Sequence, residues 1–235
     1  MSNTSGDFEV AARWECERWA NFSNNLTQVL QSNPFQQKHF PDPKSANEWN
    51  CFEDFIKDFP FTEKQDLARD REEHPPYGSN LTFPVSEYKK FNQTSGTQGK
   101  PMAWLDTMDD WKWMLGNWGR VLEAAGVHPG ARCLFAFSFG PFLGFWTAYE
   151  AATQRGCVCI PAGGQSTEQR LKGILNQKAE HLFCTPTYAM RLTSYAKEAG
   201  IDLSGHKLKS IIVAGETGGS LVEVRNRISA GWGNG

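Results

Sequence analysis

From residue 132 onward the sequence alternates short, largely apolar, β-prone runs with amphipathic stretches, and this alternation constrains the fold more than any other feature. Residues 133–139 read as a strand and 142–155 as a helix. The pattern repeats at 157–161 and 165–178, at 181–185 and 187–199, and at 209–214 and 221–230. Continuous apolar strands separated by helices imply βαβ units, hence a mostly parallel sheet covered by helices on both faces. The chain is therefore read as an α/β protein. In open sheets of this kind ligands lie beyond the carboxyl ends of the strands. Three such ends carry turn residues: Phe139-Gly140-Pro141, Pro161-Ala-Gly-Gly164 and Gly215-Glu216-Thr217. Turns need Gly and Pro in any case, so each of these taken alone is a turn and no more.

Residues 1–60 read differently. Trp14, Trp19, Phe22 and Leu26 approximate a helical stripe, Pro41-Asp-Pro43 marks a turn, and Trp49, Phe52, Phe55 and Phe59 fall on one helical face. The expected organisation is a helical N-terminal region, 1–60, packed on an α/β body, 61–235. Thr62 and Gln65 have the spacing of a capping box. Residues 88–92 and 102–105 read as a pair of short strands. Trp111, Leu115, Trp118 and Leu122 predict a helix over 109–125 that stops at Gly126.

Composition excludes several classes. The 235 residues carry a formal charge of −2 and no block of Lys or Arg, which argues against a nucleic-acid surface. The start of the chain is polar and acidic, with no visible signal peptide. Residues 133–149 are uncharged but shorter than the roughly 20 residues of a membrane helix, and Gly140-Pro141 interrupts them. No membrane association is expected. Nine tryptophans and sixteen phenylalanines point to large aromatic contacts, mostly core. Six cysteines lack a paired CxxC pattern and suit a reducing cytoplasm. Cys157 and Cys159 would share a strand face near His181 and Cys184, but the spacing matches no common zinc pattern, and no metal site is expected.

One stretch carries chemistry. Thr94-Ser-Gly-Thr-Gln-Gly-Lys-Pro101 concentrates hydroxyls, glycines and a lysine. Glycines let backbone N–H groups approach an anion, hydroxyls add donors, and Lys100 adds a full positive charge. The combination suits phosphate oxygens, although the spacing is not that of a Walker A loop.

The same stretch closely resembles the (S/T)SGTTGKP phosphate loop of the adenylate-forming, AMP-producing ligases. Its surroundings are most similar to the phenylacetate–CoA ligase branch. Asp58-Phe-Pro-Phe-Thr-Glu-Lys-Gln-Asp-Leu67, Ala125-Gly-Val-His-Pro-Gly130, Thr185-Pro-Thr-Tyr-Ala-Met-Arg-Leu192 and Ala214-Gly-Glu-Thr217 match further family segments in the same order. The resemblance covers roughly residues 55–228. It implies the N-terminal part of that family's large domain. It also implies a two-step reaction, in which a carboxylate attacks the α-phosphorus of ATP-Mg and coenzyme A then displaces AMP.

By the same resemblance, Thr94, Ser95, Gly96, Thr97, Gly99 and Lys100 bind the triphosphate. Gly215 and Glu216 lie along the adenine and acyl pocket, while Phe137, Phe139 and Gly140 lie near the acyl group. Gln98 and Thr217 depart from the family's usual Thr and Pro. A wall of Phe139, Phe142, Phe145 and Trp146 would suit an aromatic or otherwise apolar carboxylate, with core packing as the competing reading. The implied Tyr-Gly-x-Thr-Glu motif, ribose-binding Asp and catalytic lysine are not found before Gly235, so catalytic residues are expected downstream. The chain is expected to be a portion that does not complete the reaction alone. Its expected partners are a small carboxylate, coenzyme A and, as an assembly, a second copy. The rival expectations are a non-catalytic nucleotide or acyl-CoA binding homologue and an enzyme loading a carrier protein.

Overall fold

A computed structural model describes residues 4–40, 48–94, 96 and 101–233, with side chains from Glu15 onward. The chain divides into two compact units. One runs up to Lys89 and includes Met102–Leu105; the other comprises Lys90–Pro101 and the chain from Asp106 onward.

The first unit is helical: α1 (Thr4–Ser32), α2 (Pro34–His39), α3 (Phe52–Asp58) and α4 (Lys64–Glu73). Its core is aromatic. Leu30, Phe40 and Trp49 are buried, with Trp19, Leu26, Phe55 and Phe59 packed against them. Phe40 stacks on Phe59 at 5.1 Å between centroids, and Trp49 meets Phe55 edge-on at 5.5 Å. The expected aromatic face thus exists, but Trp49 and Phe59 flank α3 and are not part of it. Trp14 lies outside the described side chains, as do Pro41 and Pro43. The Thr62 capping box is not formed. Glu63 holds the cap position with extended backbone, and its carbonyl accepts the first helical bonds from Asp66 and Leu67.

Two short strands, β1 (Tyr88–Gln93) and β2 (Ala103–Thr107), form a two-stranded sheet. α5 (Met108–Ala124) follows at once. Thr107 caps it, with Asp110 completing a capping box.

The expected alternation then appears: β3 (Arg132–Phe135), α6 (Leu143–Gln154), β4 (Val158–Pro161), α7 (Thr167–Asn176), β5 (His181–Cys184), α8 (Pro186–Glu198), β6 (Ser210–Val213) and α9 (Val222–Trp232). The strands form one parallel sheet in the order β4-β3-β5-β6. Successive side chains point to opposite faces, and this sorts the core. Leu134, Leu182, Cys184, Ile211 and Val213 pack with buried residues of α7, α8 and α9. Cys133, Phe135, Phe183 and Ile212 pack with Trp111, Leu115 and Leu122 of α5 and Ala148, Ala151 and Ala152 of α6. The central strand β5 is buried along its whole length, whereas the residues of β6 are all half-buried.

The strand order places a switch point between β3 and β5. After β3 the chain runs through α6 to β4 on one side. It then returns through α7, on the opposite face, to β5 on the other side. Crevices for ligands open at such points, beyond the carboxyl ends of the strands.

Candidate nucleotide and acyl site

Four segments meet beyond those carboxyl ends. β1 leads toward the glycine-rich stretch, and the Gln93 N–H donates to the carbonyl of Pro141 at 2.8 Å, which sets the beginning of that stretch against the turn that follows β3. Thr94 is exposed, and Gly96 takes a φ of +71°, a backbone state that glycine adopts readily. Ser95, Thr97, Gly99 and Lys100 lie outside the described residues, as does Gln98.

After β3, the Gly140 carbonyl accepts hydrogen bonds from Trp146 Nε1 at 2.9 Å and from the Phe142 N–H at 2.8 Å, which draws the turn tightly onto the start of α6. The Phe139 ring is half-buried and packs against Trp146 and Tyr149, at 5.0 and 5.4 Å between centroids. Phe137 is placed differently. It is 4% exposed and stacks on Phe145 at 3.9 Å, so it belongs to the core beneath the turn.

Gly215 follows β6 with a φ of +91°. A side chain there would meet the Phe145 ring at 3.4 Å and the Thr185 methyl at 3.5 Å. One line of contacts therefore joins Phe137, Phe145, Gly215 and Thr185, one or more from each of three strand ends. Beside it, Glu216 Oε1 accepts the Thr187 N–H at 2.6 Å, in the first turn of α8. Hydrogen bonding from Thr187 holds the Glu216 carboxyl below the usual range. The exposed carboxylate thus satisfies one of the free N–H groups at the start of α8, which Thr185 caps from the other side by accepting the Tyr188 N–H.

Residues that sequence reasoning did not single out also reach this region. Lys90 pairs with Glu150 at 2.7 Å and lies 4.4 Å over the Trp111 ring, and Trp111 Nε1 donates to Glu150 at 2.6 Å. Asn92 and Asp106 meet in a buried hydrogen bond. Asp106 directly follows the apolar run Met102–Leu105, but nothing along the chain indicates its partner.

The cysteines of the second unit are split between the two faces of the sheet. Cys184 lies on the sheet face opposite Cys157 and Cys159, as the alternation along β5 requires. Among the described residues no group of three His, Cys, Asp or Glu is arranged to hold a metal ion. Burial pushes the Cys184 thiol up to about 12. No helix among the described residues is long and apolar enough to cross a membrane.

Searches against family models return no match. The chain is 31% identical over 157 residues to a phenylacetate-coenzyme A ligase of Thermus thermophilus, an alignment covering 67% of this chain and 34% of that one. It is 29% identical over 161 residues to a phenylacetate-coenzyme A ligase of Aromatoleum evansii, covering 67% and 35%. Its fold superposes on a crystal structure of 2-hydroxyisobutyryl-CoA ligase in complex with 2-HIB-AMP and CoA, with a TM-score of 0.87 at 25% identity. That superposition covers 94% of this chain and 47% of the other. The chain thus spans about a third of the curated relatives' length. Together with the ordered motifs, these likenesses make the chain a member of the phenylacetate–CoA ligase branch of the adenylate-forming acyl-CoA synthetase superfamily.

Proposed function

We propose that this chain supplies the triphosphate-binding and part of the acyl-binding surface of an AMP-forming acyl-CoA ligase. In the reaction a carboxylate attacks the α-phosphorus of ATP, forming an acyl-adenylate and releasing pyrophosphate, and the coenzyme A thiol then takes the acyl group and releases AMP. The observation that carries the reading is the collinear set of family motifs whose described members, Gln93–Thr94, Phe139–Pro141, Thr185–Thr187 and Gly215–Glu216, converge beyond the carboxyl ends of one parallel sheet.

In this reading Thr94, Ser95, Gly96, Thr97 and Gly99 donate to phosphate oxygens, and Lys100 balances charge that builds there during adenylation. Mg2+ bound with the nucleotide would neutralise part of the phosphate charge. Gly215 lets its segment take a left-handed turn that other residues adopt only with strain, and without a side chain it leaves the surface bordered by Phe145 and Thr185 open to a flat ring. Glu216 holds that segment to α8. Phe139 and Trp146 form an aromatic wall for the acyl group, and Phe137 stacks on Phe145 in the core. An aromatic acid such as phenylacetate fits that wall, and the names of the sequence relatives support the same class. Six free thiols suit a reducing, cytoplasmic setting.

Calorimetric titration of the chain with ATP-Mg tests the reading. Saturable binding should weaken about tenfold or more in Lys100→Ala, as for a lost charge-assisted contact. Equal affinity in the variant would contradict the phosphate-loop role.

A further inference from the structure

The root of the glycine-rich stretch contains a buried polar contact that packing alone does not require. Asn92 on β1 and Asp106 on β2 are 4% and 8% exposed. Asn92 Nδ2 donates to Asp106 Oδ2 at 2.8 Å. A carboxyl so placed loses most of its hydration. Burial pushes its pKa up and the nearby Asp110 carboxylate adds to this, while the Asn92 bond opposes both. Charged side chains are almost never this buried unless a partner holds them.

The position of the bond suggests its use. Asn92 lies just before Thr94, and Asp106 lies shortly after Pro101, so the bond closes a ring of chain that contains the entire stretch from Thr94 to Pro101. The entering strand is fixed from two further directions. Lys90 is paired to Glu150, which also takes the Trp111 indole N–H, and the Gln93 N–H is bonded to Pro141. Asp106 is followed by Thr107, whose side chain starts α5. The bond therefore links a strand anchored on α5 and α6 to the strand that begins α5.

We propose that Asn92 and Asp106 are positioning residues for the phosphate loop: their hydrogen bond locks the two strands at its root and sets the separation at which the chain enters at Thr94 and leaves at Pro101. Fixing the ends of a short loop removes most of its alternative shapes, so donors do not have to be gathered when a polyanion arrives. The clamp itself follows from the geometry of Asn92 and Asp106. Its effect on ATP rests on the reading of the loop given above.

Hydrogen exchange of the chain, followed by mass spectrometry across residues 88–107, tests the clamp directly. Asp106→Ala removes the acceptor, Asn92→Ala removes the donor, and Asp106→Asn removes the charge but keeps an acceptor oxygen. Exchange of the amides of β1 and β2, the strands that carry the pair, should quicken about tenfold or more in both alanine variants, the scale of a lost buried bond to a charged group. It should stay within about threefold of the parent in Asp106→Asn, because the acceptor remains. Amides of β5 and α8 should be unaffected in all three. ATP-Mg affinity should follow the same order.

Parental exchange in both alanine variants would overturn the proposal, as would an Asp106→Asn variant as loose as Asp106→Ala. If Asp106→Ala loses protection throughout β5, Asn92→Ala decides alone. If the parent chain fails to bind ATP-Mg, the phosphate-loop reading falls, while the exchange result still decides the clamp.

Discussion

The two ends of the parallel sheet are built from different chemistry. At the amino ends, charges of the chain satisfy one another. Glu180, whose side chain is 9% exposed, accepts from Lys209 Nζ at 2.7 Å, from Arg132 Nη2 at 3.2 Å and from the Arg132 N–H at 3.2 Å. His128 lies 3.9 Å away. The Lys209 hydrogen bond, foremost among these, holds the Glu180 carboxyl down at about 2. The beginnings of β3, β5 and β6 are thereby tied together. At the carboxyl ends the turns are held by hydrogen bonds without paired charges: Gln93 to Pro141, Trp146 and Phe142 to Gly140, and Thr187 to Glu216. The beginnings of β3, β5 and β6 are thus held by ion pairs, and the proposed site lies at the other end of the sheet.

Substitutions at the two ends should separate along that line. The largest effect on ligand binding is expected for Gly215→Val, which forces a side chain into left-handed backbone and against Phe145 and Thr185. ATP-Mg affinity measured by calorimetry should fall by at least about tenfold, while the strain lowers stability by roughly 1–3 kcal/mol.

Glu180→Gln should do the reverse. Removing the charge that Lys209 and Arg132 share should lower stability in urea by roughly 1–3 kcal/mol, the partners' exposure keeping the loss below that of a fully buried pair. ATP-Mg affinity should be unchanged. A drop in affinity matching that of Gly215→Val would erase the distinction between the ends.

The pH dependence sharpens the same contrast. Because the folded carboxyl of Glu180 is depressed, its contribution is present above the unfolded value near 4.5 and is lost as pH falls toward about 2. Urea midpoints measured between pH 6 and pH 3 should fall less steeply in Glu180→Gln than in the parent. The smallest effect is expected for Glu216→Gln. Its carboxylate is exposed and the amide oxygen can still accept from Thr187, so stability should change by no more than about 0.5 kcal/mol.

The sequence announced the sheet more fully than the site. Apolar runs at β3 and β5 and the helical spacing of Trp111, Leu115 and Leu122 leave little choice of element, because each must bury its apolar face. Ends of elements were less legible. Thr62 has the side chain for a cap, yet the chain begins its helix at Glu63, and nothing in the local sequence distinguishes the two. Phe137 and Phe139 looked equivalent in sequence. The alternation along β3 and its continuation sends both to the α6 side, and only the position of Phe145 covers the first ring and leaves the second half open. The clamp of Asn92 and Asp106 was invisible for a related reason. Its partners come from two strands, and a pairing between strands has no signature along the chain.

The measurement that bears most directly on the central claim is the affinity of an acyl-adenylate analogue, the phenylacetyl sulfamoyl-adenosine, compared with that of AMP on the same chain. If the nucleotide and acyl surfaces form one site at the carboxyl ends of the sheet, the joined ligand should bind at least about tenfold more tightly than AMP, since its second half binds without a second loss of freedom. The advantage should shrink in Gly215→Val. Equal affinities for the analogue and AMP would contradict the account.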